Sequence, residues 1–402
     1  MSDAEADAAA TRLREALQTA TATVGVVGLG YVGLPLALTS AERGFRVVGF
    51  DVDPEKVAAL TAGRSYLRQL ADGRLRAVLD AGRFAATGDL GRLGEPDVLC
   101  LCVPTPLTPQ REPDMRYVVR TAEAVAATLR PGQLVVLEST TYPGTTEELV
   151  LGILERSGLR CGRDVFLAYS PEREDPGNPV HSTATIPKVV GGVDALSGDL
   201  AEAFYERITQ GVVRVSSARA AEATKLLENI FRGVNIALAN ELKIIYERMG
   251  IDIWEVLDAA ATKPFGYMRF DPGPGWGGHC IPVDPFYLSW KAREHGVAAR
   301  FIELAGEVNV RMPEYVVERL TQALNERGKA VKGSRILLLG MAYKPDVDDV
   351  RESPSFVILH LLTRLGAKVA YHDPFVSEAP HMRHFPEFEG LESVPLSEAS
   401  LR

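Results

Sequence analysis

The chain has 402 residues, enough for two or three domains of ordinary size, each able to bury its own core. Hydrophobic residues make up 46% and charged residues 24%, the proportions of a globular protein. The net charge of −9 speaks against a nucleic-acid groove, which leans on clustered Lys and Arg, while an anionic small substrate needs only a few local cations. Four cysteines without a CxxC pair give neither a disulfide framework nor a zinc site, so no metal is expected and the compartment reads as reducing. No apolar run approaches the roughly 18 residues of a membrane span, and the start of the chain lacks the apolar stretch of a signal peptide. The expected location is therefore the cytoplasm, with no membrane partner.

In chain order, residues 1–21 mix Ala with both charge signs and read as an N-terminal extension, a helix or a frayed tail. VGVVGL (24–29) is a buried parallel strand. A helical pattern follows (Leu34, Ala37, Leu38, Ala41), Gly44 ends it, and FRVVGFD is the second strand. Strand, Gly-rich turn, helix and strand make the βαβ unit of a doubly wound sheet. Further strands are expected at 98–103, 133–139, 164–170 and 188–192, with helices near 117–129 and 145–157. From Ala218 to Met249 the pattern becomes one long helix, with apolar Leu226, Ile230, Val234, Leu238, Leu242 and Ile245. Strand, helix and strand recur over SRILLLG (334–340), Pro354–Leu365 and AKVAYHDP, as a second, divergent half without the glycines of the first. Two strands are short for a stable sheet, and that half reads as truncated. The fold class is α/β: two Rossmann-like doubly wound domains joined by a long central helix. The divisions are 22–215, a dinucleotide domain; 216–325, a central helical domain; and 326–402, the second half.

Gly28-Leu29-Gly30-Tyr31-Val32-Gly33 is GxGxxG between a strand and a helix. Gly28 permits the tight turn, Gly30 lets a pyrophosphate approach the backbone, and Gly33 lets helix and strand pack closely. The helix amino terminus then offers free N–H groups to the phosphates. Asp51, ending the second strand 23 residues beyond Gly28, suits the adenosine ribose and repels a 2′-phosphate, which favours NAD over NADP. Asp53 is the alternative for that role. Elsewhere, Cys280 stands in a Gly/Pro-rich loop (Gly277-Gly278-His279-Cys280-Ile281-Pro282-Val283-Asp284) and reads equally as a loop residue or a nucleophile. Cys100 and Cys102 lie in an apolar strand and are expected in the core. Lys225 and Asn229, four apart on the long helix, share one face. They suit an oxyanion or a polarised water, or a solvated surface.

The segments GLGYVGLP, CVPTPL, ESTTYPGTT, SPEREDPGN, EATKLLENIFRGVNIALANE, GPGWGGHCIPVDPFYL and GMAYKPDVDDVRESPS, in order from Val24 to Pro374, resemble the nucleotide-sugar 6-dehydrogenase family. The UDP-glucose, UDP-N-acetylglucosamine, UDP-N-acetylmannosamine and GDP-mannose dehydrogenases are members. The resemblance implies two successive NAD-linked oxidations of a sugar C6 alcohol to the carboxylate, and a homodimer or higher oligomer with contacts through the central domain. It implies that Cys280 is the nucleophile, carrying a thiohemiacetal and then a thioester. Lys225 and Asn229 would stabilise the oxyanion, Asp284 would assist them, and Glu172 and Thr141 would orient water. Gly28, Gly30, Tyr31, Val32, Gly33, Asp51, Pro104, Thr105, Thr141 and Arg351 would hold the cofactor. Glu172, Arg173, Lys225, Asn229, Arg269, Gly277 and Lys344 would hold the nucleotide-diphosphate sugar. Glucose-type members carry a second Glu where Asp175 and Pro176 stand, and an Arg at the position of Pro264, for which Arg269 is the substitute. His279 reads as structural. SPEREDPGN and the PFGYM to GGHC stretch resemble the UDP-N-acetylglucosamine branch most, ahead of UDP-glucose and dTDP-glucose. Two other readings are a nucleotide-sugar-binding protein without catalysis and a simple hydroxy-acid or hydroxyacyl dehydrogenase. The first leaves the retained Cys, Lys, Asn and Asp without a purpose, and the second leaves the GGHC loop unexplained.

Overall fold

The computed structural model describes residues 3–67, 70–108, 110–173, 182–278, 281–382 and 384–398. Asp175, Pro176, His279 and Cys280 lie outside the described residues. Backbone contacts divide the chain into two compact units, Met1–Leu227 and Glu228–Arg402.

The first unit opens with α1 (Asp3–Gln18), then β1 (Thr23–Val27), α2 (Gly33–Glu42), β2 (Arg46–Phe50), α3 (Pro54–Thr61), α4 (Asp72–Asp80), β3 (Phe84–Thr87) and β4 (Val98–Leu101). It continues through α5 (Arg116–Thr128), β5 (Leu134–Leu137), α6 (Leu151–Leu154), β6 (Phe166–Tyr169), β7 (Lys188–Gly192), α7 (Ala195–Ile208) and β8 (Val212–Arg214), and runs into α8 (Ala218–Arg248). The strands form one sheet in the order β3-β2-β1-β4-β5-β6-β7-β8. Every pairing is parallel except β6 with β7.

The central strands are runs of four or five apolar residues because both faces are covered. Successive side chains point to opposite faces. Val24, Val26, Cys100, Val136 and Ala168 therefore enter one core, and Val27, Leu99, Leu101, Val135 and Tyr169 the other. Cys100 is buried as expected. Cys102 lies one residue past the end of β4, half-buried, against the Gly-rich turn.

Of the two readings of the N-terminal extension, helix or frayed tail, the described residues form the helix. Ala6, Ala9, Ala10, Leu13 and Leu17 make one buried face of α1, which packs on α7. The sequence reading missed β3 and β8, which are four and three residues long, and the reversal at β7. The helix expected at 145–157 is broken into a π-helical turn (Thr145–Val150), α6 and a 3-10 turn (Glu155–Ser157).

The second unit takes the rest of α8, then α9 (Ile253–Ala261), α10 (Asp284–Glu294), α11 (Arg300–Asn325), β9 (Arg335–Leu339), α12 (Pro354–Arg364) and β10 (Lys368–His372). A buried Asn240–Asn309 amide pair, 2.8 Å apart, ties α8 to α11, and Asn240 also accepts from Gly273 N–H at 2.8 Å. β9 and β10 pair in parallel, with α12 between them in sequence, and Ile358 and Leu362 of α12 pack on Val317 of α11. Among the described residues no helix is long and apolar enough to cross a membrane.

Candidate active site

The Gly-rich turn is held by sterics. Gly28 has φ +90°, and a Cβ there would lie 2.5 Å from the Cys102 carbonyl oxygen. A Cβ on Gly33 would lie 1.9 Å from the Gly28 oxygen, so no other residue fits where α2 begins. At Gly30 a Cβ would meet nothing within 4 Å, which leaves the backbone open to a ligand. This cradle fits the pyrophosphate of a dinucleotide. Tyr31 and Val32 complete the turn, and Val32 also lines a small cavity with Glu138, Glu172 and Lys188.

Asp51 is buried at the end of β2. Its carboxylate accepts from Leu29 N–H at 2.9 Å and Asp53 N–H at 3.0 Å, and Lys56 Nζ lies 3.6 Å away. Asp53 has a different task as the N-cap of α3, where it accepts from Glu55 N–H at 2.9 Å. That separates the two carboxylates the sequence left as alternatives, and Asp51 is the one aimed at the turn. Tyr66 donates its hydroxyl to the Leu29 carbonyl; burial, then Asp51 and Asp53, push that hydroxyl far above its ordinary value, so it stays protonated.

Lys225 is buried on α8, not on a solvated face. Its ammonium donates to the Glu172 carbonyl and lies 3.3 Å from Glu172 Oε2. Arg173 donates to the Pro187 carbonyl at 2.7 Å. Thr105 is buried beside exposed Pro104. Thr141 is wholly buried, and its Oγ1 has no hydrogen-bond partner among the described residues, while neighbouring Thr140 is half-exposed. An orphaned hydroxyl in this segment suits a site that a ligand or water completes.

Glu222, one turn before Lys225, was passed over in the sequence. It is buried and accepts from Gly144 N–H at 2.5 Å, Thr146 N–H at 2.9 Å and the Thr146 hydroxyl at 2.7 Å. Burial pushes its carboxyl up to about 7 against those donors. The same-face spacing that paired Lys225 with Asn229 would have found it.

In the second unit, Asn229 is buried and donates to Asp284, which opens α10 and is itself buried. Arg232, three residues on, donates to the side-chain amide oxygen (Oδ1) of Asn229. Asn229 and Asp284 thus meet as the sequence suggested, with an unforeseen guanidinium behind them.

The GGHC loop is seen up to Gly278. Gly277 and Gly278 serve close approach. A Cβ on Gly277 would sit 2.7 Å from Tyr343 Cβ, and one on Gly278 (φ +83°) 2.8 Å from the Tyr343 ring. Gly278 N–H also donates to the Arg351 carbonyl at 3.0 Å. The Arg351 guanidinium grips Asp349 through several bonds, the shortest 2.6 Å. Asp346 and Glu352, in the same stretch, hold positive φ of 62° and 50°, uncommon for residues other than glycine. Lys344 Nζ lies over the Tyr343 ring, 5.8 Å from its centre. Arg269 is held by Asp258 and by Asp271 at 2.7 Å, so an anionic ligand would have to compete for it.

Burial pushes the thiols of Cys100 and Cys102 well up, and that of Cys161 up to about 12. All three are protonated at neutral pH, which suits no nucleophile.

The family description "UDP-glucose/GDP-mannose dehydrogenase family" matches in three parts: the NAD binding domain over residues 22–209, the central domain over 219–311 and the UDP binding domain over 337–400. The chain is 40% identical over 364 residues to a UDP-N-acetyl-D-glucosamine 6-dehydrogenase of Pseudomonas aeruginosa, covering 90% of this chain and 85% of that protein. The solved UDP-N-acetylmannosamine dehydrogenase of Pyrococcus horikoshii superposes with a TM-score of 0.83 at 35% identity, covering 88% of this chain and 84% of the other. A UDP-glucose dehydrogenase from Pyrobaculum islandicum gives 0.81 at 32% identity, covering 88% and 82%. The chain belongs to the UDP-glucose/GDP-mannose dehydrogenase family, and it is an NAD-dependent oxidoreductase acting on the CH–OH group of a nucleotide sugar.

Proposed function

We propose that the protein oxidises C6 of UDP-N-acetylglucosamine, first to the aldehyde and then to the carboxylate, with Cys280 as the covalent nucleophile. The observation that carries this reading is the pair of buried polar groups on α8. Lys225 lies against Glu172, and Asn229 against Asp284. Burying an ammonium and an amide is costly unless each is paired, and apolar groups of similar size would often serve the fold as well. Lys225 and Asn229 are suited to an alkoxide or tetrahedral oxyanion, and Asp284 orients the Asn229 amide. Glu172 and Thr141 orient the water that hydrolyses the thioester. Bound NAD accepts the hydride at each oxidation. The Gly28–Gly33 turn, Asp51, Pro104, Thr105 and Arg351 hold it, and Arg173, Arg269, Gly277 and Lys344 contact the nucleotide sugar. The inert thiols of Cys100, Cys102 and Cys161 favour Cys280 for the covalent step. The Pseudomonas relative favours the N-acetylglucosamine substrate. We also propose a homodimer or higher oligomer, since exposed Ile245 of α8 and Leu304 of α11 line a cleft of about 460 Å³, and Leu238 of α8 is exposed as well.

The experiment is a screen of UDP-N-acetylglucosamine, UDP-glucose and dTDP-glucose with Cys280→Ala alongside. Two NADH per sugar and acid as product are expected. Acid formation is expected to vanish in Cys280→Ala while NAD binding persists. One NADH with free aldehyde, or acid from the Cys280→Ala protein, ends the covalent mechanism.

A further inference from the structure

A second buried lysine stands near Glu172, and none of the roles above uses it. Because β7 runs antiparallel to β6, its first residue lies at the edge where the parallel strands end. In open α/β sheets that edge is the ligand edge. Lys188 is that first residue. It is buried, and its Nζ donates to Glu138 Oε2 at 2.5 Å, just past the end of β5. The Tyr205 hydroxyl donates to the other Glu138 oxygen, and burial, then Glu138, keep that hydroxyl protonated. Lys188 Nζ also donates to the Pro171 carbonyl at 3.1 Å. The next carbonyl along the chain, that of Glu172, takes the Lys225 ammonium. Two lysines from different elements therefore grip consecutive carbonyls. Glu138, Glu172, Arg173 and Lys188 line, with Val32 and Leu36, a cavity of about 20 Å³, room for about one water.

Stability is a weak reason to keep such a cluster. Buried ion pairs replaced by apolar groups of similar volume often leave a fold as stable or more so. We propose that Lys188, held by Glu138 and Tyr205, is a positioning residue for Glu172: it fixes the backbone from which Glu172 reaches Lys225. The proposal rests on the reading that Lys225 and Glu172 serve the oxidation.

Removing Lys188 alone would strand the Glu138 carboxylate, so the test uses Lys188→Met/Glu138→Leu/Tyr205→Phe, which removes the whole cluster. A melting temperature within about 4 °C of the parent is expected, with NAD affinity unchanged and kcat about tenfold or more lower. In a Glu172→Gln background the same triple change should alter kcat less than twofold, because residues acting through one group do not add. Lys188→Arg keeps the ion pair but moves the donor away from Pro171, and should fall between the two. Amide exchange at Ser170, Glu172 and Arg173 should quicken in the triple variant without any substrate present. Unchanged exchange there, or losses that multiply with Glu172→Gln, overturns the proposal. Quickened exchange in a protein whose parent oxidises no nucleotide sugar would leave the positioning role standing and sink the functional reading instead.

Discussion

The two strand–turn–helix–strand stretches carry the same turn with different outcomes. GLGYVG (28–33) and GMAYKP (340–345) align position by position. Gly28 and Gly340 have φ of +90° and +92°. Gly28 N–H donates to Phe50 O and Gly340 N–H to His372 O, both at 2.8 Å. Leu29 and Met341 are both buried, and each donates its N–H to an aspartate ending the second strand, Asp51 at 2.9 Å and Asp373 at 2.7 Å. The copies part at the next step. In the first copy α2 opens at Gly33, so a helix amino terminus faces the turn. In the second, Pro345 replaces that glycine and α12 waits until Pro354. The inserted stretch carries the Asp349–Arg351 pair and the positive-φ residues Asp346 and Glu352. The turn itself is thus a backbone device shared by both copies. In the reading proposed above, cofactor binding belongs to the helix amino terminus that the first copy sets beside its turn.

The largest test of that distinction is at the sixth position. Gly33→Ala puts a methyl 1.9 Å from a backbone oxygen that cannot yield. A loss of about 3 kcal/mol is expected by denaturant titration, together with loss of NAD binding. Pro345→Ala, its exposed counterpart, should cost under about 1 kcal/mol. Equal losses would mean the second turn is packed as tightly as the first.

The two aspartates should differ next. Asp373 accepts four backbone N–H bonds, from Met341, Ala342, Phe375 and Val376, at 2.7–3.2 Å. Asp373→Ala should destabilise the second unit by about 3 kcal/mol, with NAD:NADP preference untouched. Asp51 accepts two such bonds, so Asp51→Ala should cost about 1 kcal/mol and narrow the preference for NAD in initial rates. A wild-type protein indifferent between the cofactors would remove Asp51 from the ribose site.

The first turn was legible because GxGxxG is largely steric: Gly28 and Gly33 each answer a contact within a few residues or across one strand, and Gly30 leaves the backbone open. Strands β1, β4 and β5 were legible because four or more consecutive apolar residues have few other places to go. The reversal at β7 was hidden, since KVVGG reads alike in either direction. So were the partners that make the site: Glu138 with Lys188, Glu222 with Gly144, and Tyr343 under the GGHC glycines join residues 50 or more apart. The sequence names such groups only when they share a helix face, as Lys225 and Asn229 do. The resemblance supplied the rest as roles, without saying what holds each residue.

The last comparison concerns two buried carboxylates of opposite behaviour. Glu222 and Asp373 both accept backbone N–H bonds, yet burial prevails at Glu222 and lifts its carboxyl to about 7. At Asp373 burial also pushes upward, but the four N–H donors outweigh it and hold the group below its ordinary value. The two therefore link to pH with opposite signs. Folded Glu222 keeps a proton that the unfolded chain releases near pH ~4.3. Its contribution to stability therefore falls as pH rises from there to about 7, by up to ~1.4 kcal/mol per unit. Asp373 is the reverse: its contribution is complete above pH ~4 and is lost as pH falls further. Urea midpoints measured across pH should show the Glu222→Gln protein without the neutral-side decline and the Asp373→Asn protein without part of the acid loss. If Glu222→Gln keeps the full slope between those two pH values, the carboxyl is already ionised in the folded protein, and burial at Glu222 is weaker than its three donors.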